Sequence, residues 1–538
     1  MTEQKQADRT SLVPKFTFAT SLEEQEAQLK SNPLTRRFVE SRKKMSGDPH
    51  RPTFHYVNPE NLLNDSNGLC FWQGRWHLFY QAYPPEDSRQ QWGHAVSDDL
   101  VRWRDLPYAI YPDPEHCCYS GATLVEESRV IAMYHGTGAG NMVAISTDPL
   151  LLNWEKLTGD AVIPMLLPEA PPDGDDRPRF RHALGAIDRQ TGGVFDPCIW
   201  KKDGFYYSIS GGSLPEGPGG KIVPAEFLFR SKDLVSWDYL HPFVEGDRFT
   251  LLGDDGAVPY FWPIGDRHLL LFSSHMSGPQ YLLGDYDKQS DKFVATTHGE
   301  FNFGSYTPGG VHAPSATPDG EGGIIVIFNM NHGKPTEGWD QIMSLPRRLT
   351  LIAEDTLGIE PAGDIASLRR DHHRVEAMTL PANQEVVLEN IRGNSMEIIA
   401  ELDTKGAPMV ELNVLRSPDK QEFTRIAFFR ERGYTNRKHR TGPRHSLISI
   451  DSSYSSLCPD VLSRAPETGP VGIEPEEPLQ LRVFVDRSVV EVFVNGKQCV
   501  AMRVYPGRED SLGVSLRSQG RDAELRFLDA WQMVNIYE

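Results

Sequence analysis

Between about residues 51 and 365 the chain is a succession of short aromatic and β-branched runs separated by Gly, Pro, Asn and Asp. Leu78-Phe79-Tyr80, Val130-Ile131-Ala132-Met133-Tyr134, Phe205-Tyr206-Tyr207-Ser208-Ile209, Leu269-Leu270-Leu271-Phe272 and Ile324-Ile325-Val326-Ile327-Phe328 are examples. That spacing predicts an all-β architecture. A degenerate repeat sharpens it. Ser97-Asp98-Asp99-Leu100-Val101-Arg102-Trp103 recurs as Ser231-Lys232-Asp233-Leu234-Val235-Ser236-Trp237, with a looser copy from Ser146 to Trp154. Each copy follows a strand-like run and joins a turn-forming Asp to a buried-type Trp. Small sheets repeated at intervals of several tens of residues are the sign of a β-propeller.

The two ends of the chain have different textures. Before residue 51, Ser21-Leu22-Glu23-Glu24 reads as a capping box, and helix formers of mixed charge continue to about Lys44. Asn32-Pro33 predicts a break within this helical arm, which is expected to pack on the outside of the main domain. Beyond a charged connector near Ala366–Glu376, the segment Leu479–Gly496 holds two alternating strands. The first turns at Asp486-Arg487-Ser488 and the second ends at Asn495-Gly496, a strong hairpin signal. The domains expected are a helical arm at 1–50, a propeller at 51–370 and a β-sandwich at 380–538.

Composition narrows the partners. A net charge of −19 argues against a phosphate-backbone partner, and so against nucleic acid. The 39% hydrophobic and 10% aromatic content is that of a soluble globular protein. Met1–Pro14 is polar and no apolar stretch is long enough to span a bilayer, so neither a membrane nor a secretion signal is expected, and the location expected is cytoplasmic. The six cysteines form neither C-x-x-C pairs nor a disulfide framework. His372 and His373 are adjacent rather than at chelating spacing. No metal or other cofactor is expected, and oligomeric state leaves no mark on the sequence.

The chemistry concentrates in Asn64-Asp65-Ser66-Asn67-Gly68, just ahead of the strand Trp76-His77-Leu78-Phe79-Tyr80-Gln81. An Asp held in a Gly/Asn turn before an aromatic strand presents a carboxylate at the mouth of β-structure, as sugar hydrolysis requires. The same composition also marks ordinary turns. The other motifs decide between them.

Taken in order, these motifs resemble glycoside hydrolase family 32, the fructan hydrolases and invertases. Asn64–Gly68 is similar to the family's Asn-Asp-Pro-Asn-Gly box, with Ser66 in place of Pro. Leu78–Gln81, Trp92-Gly93-His94-Ala95-Val96-Ser97, Tyr119-Ser120-Gly121-Ala122, Phe195-Asp196-Pro197, Leu345-Pro346-Arg347 and the hairpin from Val485 to Asn495 complete the likeness. The resemblance implies a five-bladed propeller followed by a β-sandwich. It also implies a retaining hydrolase of β-D-fructofuranosyl bonds in sucrose-, inulin- or levan-type substrates, working without a cofactor. Asp65 would be the nucleophile and Asp196 would stabilise the oxocarbenium-like transition state. Asn64, Gln81, Trp92 and Ser120 would support the sugar.

Two departures stand out. The family's general acid is a Glu in a Glu-Cys-Pro box, and the matching segment here is Ala257-Val258-Pro259. Loss of general-acid help costs roughly a hundred- to ten-thousandfold in rate. Asp254 and Asp255, just upstream, are the candidate replacements, and Glu226 is a third. The second departure is Phe195, which stands where the family has an Arg and removes a bidentate donor to sugar hydroxyls. The readings that compete with hydrolysis are a fructan-binding protein with impaired catalysis, a fructosyltransferase, and a hydrolase of a related furanoside. His312, in Gly309-Gly310-Val311-His312-Ala313-Pro314, is a further pocket candidate.

Overall fold

The computed structural model describes residues 11–164, 181–182, 185–186, 195–211, 213–217, 221–224, 226–251, 254–433, 445–474 and 476–538. Five sheets, antiparallel except where Val244–Glu245 runs parallel to Lys292–Glu300, surround an axis. Their innermost strands are Leu63–Trp72, Cys118–Val125, Phe195–Lys202, Ala257–Ile264 and Val311–Pro318. Each inner strand packs against the next, and the fifth returns to the first. Among the described residues no strand is shared between blades, although the third blade skips the separate hairpin Ser213–Gly217/Lys221–Pro224, so closure comes from side chains. Ser66 Oγ lies 3.0 Å from both Ala313 O and Ile327 O, joining blade one to blade five. That contact is the structural use of Ser at the box's variant position.

The repeat is one turn used three times. In each copy an Asp side chain accepts the backbone N–H groups of the turn: Val101 and Arg102 on Asp99, Leu152 and Asn153 on Asp148, Val235 and Ser236 on Asp233. Leu100, Leu151 and Leu234 take φ of +68°, +51° and +68°. The Trp that follows donates its indole N–H to the carbonyl of that Leu, at 3.0, 2.8 and 2.9 Å. The Asp thus satisfies donors that the tight turn orphans, and the Trp covers it.

At the amino end, α1 (Leu22–Ser31) and α2 (Pro33–Met45) break where Asn32-Pro33 predicts, with Asn32 Oδ1 capping α2 through Leu34 N and Thr35 N. Leu34 and Phe38 are buried against blade one, and Arg42 forks onto Asp105.

The carboxyl-terminal part is a sandwich of a seven-stranded and a six-stranded sheet. The charged stretch expected as a connector is itself a strand, Arg369–Val375, on the edge of the larger sheet. Edge strands favour such charge because it discourages pairing with another chain. The hairpin Leu479–Asp486/Val489–Val494 forms as expected. Its apolar side chains alternate between two buried faces. Leu481, Val483, Val485, Val490, Val492 and Val494 face the sandwich interior, while Phe484, Val489 and Phe493 face the propeller.

A buried polar seam crosses that contact. Asp486 accepts the backbone N–H groups of Thr53, Phe54 and His55, and the His55 ring bridges Asp486 (2.9 Å) and Glu491 (3.1 Å). Glu491 also accepts from Leu345 N and Arg347. The two carboxylates outweigh burial and raise the His55 pKa to about 8.

Candidate active site

All five inner strands share one irregularity. Near its start each carries one residue more than the second strand opposite it: between Leu63 and Ser66, Cys118 and Gly121, Phe195 and Pro197, Ala257 and Tyr260, and Val311 and Pro314. Such bulges bend a strand and re-aim a side chain. These five hold Asp65, Ser120, Asp196, Val258 and His312 at the same end of the propeller. Beneath them, Tyr260 Oη donates to Gly121 O, accepts from Gly68 N and bonds Ser315 Oγ, tying four blades at the axis.

Asp65 is 8% exposed. Its Oδ2 accepts from Ser120 Oγ at 2.6 Å and from Gln81 Nε2 at 3.1 Å. Its Oδ1 has no hydrogen-bond partner, although His312 Nδ1 lies 3.4 Å away. Two donors therefore fix the carboxylate while the lone pairs of one oxygen remain uncommitted. Burial lowers the His312 pKa, so that ring is a neutral neighbour, stacked on Tyr306 with centroids 4.9 Å apart.

Amides lock the bulges in place. Asn64 Nδ2 donates to Gln81 Oε1, Gln341 Nε2 to Asn64 Oδ1, and Asn329 Nδ2 to Gln341 Oε1. Asn329 Oδ1 then accepts Ala313 N, next to His312. Trp92 differs from expectation. It is wholly buried and donates to Tyr119 O at 2.9 Å, so it supports the Ser120 bulge from below rather than meeting a sugar.

Asp196 sits on blade three with φ +47°, and Val258 on blade four with φ +52°. A β-branched residue in that region is strained, by about 1–3 kcal/mol. Val258 N donates to Asp196 Oδ2 at 3.3 Å across the two bulges. Burial first, and then the charge of Asp65, raise the Asp196 pKa to about 7. Ala257, beside Val258, is buried and carries only a methyl group.

The candidate acids separate clearly. Asp254 turns away from the axis: its Oδ1 accepts Ser277 Oγ and its Oδ2 accepts Leu251 N. Asp255 turns towards it but is held by His275, whose backbone N–H reaches Oδ1 (3.2 Å) and whose Nδ1 lies 2.8 Å from Oδ2. Glu226 is buried behind Gly256, where a Cβ would lie 2.8 Å from Glu226 Oε1. Burial and Asp247 raise its pKa to about 8. His275, Tyr306, Asn329 and Gln341 had no sequence signal. His275 lies in Ser273-Ser274-His275-Met276-Ser277, which reads as a polar hairpin turn.

The sequence model of the glycosyl hydrolases family 32 N-terminal domain matches residues 55–361, and that of the family 32 C-terminal domain matches 364–532. The chain belongs to glycosyl hydrolase family 32. It is therefore a glycoside hydrolase by family, built as a propeller plus a sandwich. Among its relatives is the levanase of Bacillus subtilis (strain 168), 26% identical over 528 residues, covering 89% of this chain and 70% of that protein. Another is the sucrose-6-phosphate hydrolase of Escherichia coli, 26% identical, covering 90% and 96%. The crystal structure of fructan 1-exohydrolase IIa from Cichorium intybus superposes with a TM-score of 0.76 at 21% identity, covering 91% of this chain and 98% of that one.

Proposed function

We propose that the protein hydrolyses β-D-fructofuranosyl bonds with retention of configuration, by double displacement. The observation that carries this reading is Asp65: a carboxylate at the propeller axis, fixed through Oδ2 by Ser120 and Gln81, with Oδ1 uncommitted and a second carboxylate, Asp196, near enough to feel its charge. Retaining glycosidases need a nucleophile in attack position and a charged environment for the oxocarbenium-like transition state. Asp65 attacks the anomeric carbon, and Asp196 holds ring hydroxyls more tightly as the ring flattens. The relatives named as levanase and sucrose-6-phosphate hydrolase support a fructoside as substrate.

A second reading rests on Ala257 and Phe195. A fructan-binding protein would keep the pocket and lose efficient acid catalysis. Initial rates on sucrose, inulin, levan and an aryl β-fructofuranoside distinguish the two, with Asp65→Ala as control. Hydrolysis of the natural substrates, abolished in Asp65→Ala and releasing β-fructofuranose first by NMR, is the expected result. Binding without turnover of any substrate would favour the second reading.

A further inference from the structure

We infer that His275, positioned by Asp255, is the general acid and base of this site, in place of the carboxyl group that Ala257 lacks. The inference rests on the fructofuranosidase reading above and concerns only where the proton comes from. The geometry begins with the hairpin after Arg267–Ser274, which brings His275 over the start of the inner strand of blade four. Asp255 grips it twice, through backbone N–H and Nδ1, and Tyr306 Oη donates to His275 O at 3.0 Å. The same Tyr306 ring stacks on His312, whose Nδ1 lies 3.4 Å from Asp65 Oδ1. The two histidine rings are 6.4 Å apart. The imidazole is thus one residue removed from the nucleophile, and 27% of its side chain is exposed.

The groups facing His275 come from every neighbouring blade: Asp255 on the loop into blade four, Asp196 on blade three, Asp65 on blade one, and His312 and Tyr306 from the blade-five side. Three of the five are carboxylates. They outweigh burial, and the His275 pKa is raised, which keeps the imidazolium populated near neutrality. The other candidates fit less well. Both oxygens of Asp255 are committed to His275, and Asp254 points to Ser277. The charged neighbour of Glu226 is Asp247, outside the group around the axis.

The steps balance. In the first, an Asp65 oxygen forms a bond to the anomeric carbon as the bond to the leaving oxygen breaks, and that oxygen takes the Nε2 proton of His275. The imidazole is then neutral, with its Nδ1–H still on Asp255. In the second, Nε2 takes a proton from water as the water oxygen bonds the anomeric carbon and the ester bond to Asp65 breaks. The imidazolium and the Asp65 carboxylate are restored, with no oxidant or other co-reactant.

The test compares His275→Gln with the parent enzyme on sucrose or levan and on an aryl β-fructofuranoside with an activated leaving group. Loss of acid help should lower kcat/KM on the natural substrate by roughly a hundred- to ten-thousandfold. Fructosylation by the activated substrate, which needs no proton, should change by less than about tenfold. On the activated substrate, azide, a nucleophile that needs no base, should restore turnover and give a fructosyl azide. The basic limb of the pH profile should vanish in His275→Gln and move to lower pH in Asp255→Asn, which keeps the ring but removes its counter-charge. An unchanged rate on sucrose or levan would overturn the proposal. So would equal loss on both substrates without azide rescue, or the rescue signature in Glu226→Gln instead. A parent enzyme that reacts with neither substrate would refute the fructoside reading itself, and this proposal with it.

Discussion

At the scale of single residues, the site works by placing charges where burial makes them uncomfortable. Asp196 is the clearest case, because its native pKa of about 7 lies above the ordinary carboxylate value of 3.8. The native state therefore holds a proton that the unfolded chain releases. Stability from that proton is fully present below the unfolded value and is lost as pH rises through 7. Asp196→Asn should thus stabilise the protein more at pH 8 than at pH 5, by on the order of 2 kcal/mol, while removing activity. Melting temperatures at the two pH values check this; equal gains would contradict it. Sequence alone pointed to Asp65 and Asp196 because short boxes carry them. His275 and Gln341 were illegible, since neither belongs to a motif and each reaches the axis only when hairpins from separate blades close around it.

At the scale of elements, the repeated turn is the unit whose meaning survived from sequence to structure. Its Asp, Leu and Trp each have a stated task, and that is why three diverged copies kept them recognisable. The bulges were not legible, because an extra residue in a strand changes neither composition nor alternation enough to be noticed before pairing is known. The three turns differ in burial, and this ranks their importance. Asp148 accepts buried Leu152 N and Gln25 Nε2, whereas the donors to Asp233 are exposed and can turn to water. Asp148→Ala should cost about 2–3 kcal/mol, Asp99→Ala less, and Asp233→Ala least. Denaturant midpoints measure the order; a reversed order would mean the turns are not held by these bonds.

At the scale of the whole molecule, the sandwich is joined to the propeller by apolar packing from Phe484 and Phe493 and by the seam through His55. The division into propeller and sandwich was legible from the change in strand texture. The seam was not, because its partners, His55 with Asp486 and Glu491, are more than 430 residues apart. His55→Gln leaves buried Asp486 without its cation, while Glu491 keeps Arg347, and should destabilise by about 3–5 kcal/mol. The His55 pKa is raised to about 8 from 6.5, so its contribution is complete below 6.5 and is lost as pH rises through 8. The parent's fall in melting temperature across that window should be smaller in His55→Gln. Asp196 acts in an overlapping range, so each effect is read as variant minus parent.

The most direct measurement of the central claim is covalent. The enzyme is mixed with an activated aryl β-fructofuranoside, quenched in acid during turnover, and its peptides are mapped by mass spectrometry. One fructosyl unit esterified to Asp65, and no such adduct in Asp65→Ala, is the predicted result. Turnover with Asp65 unmodified, or undiminished in Asp65→Ala, would contradict it.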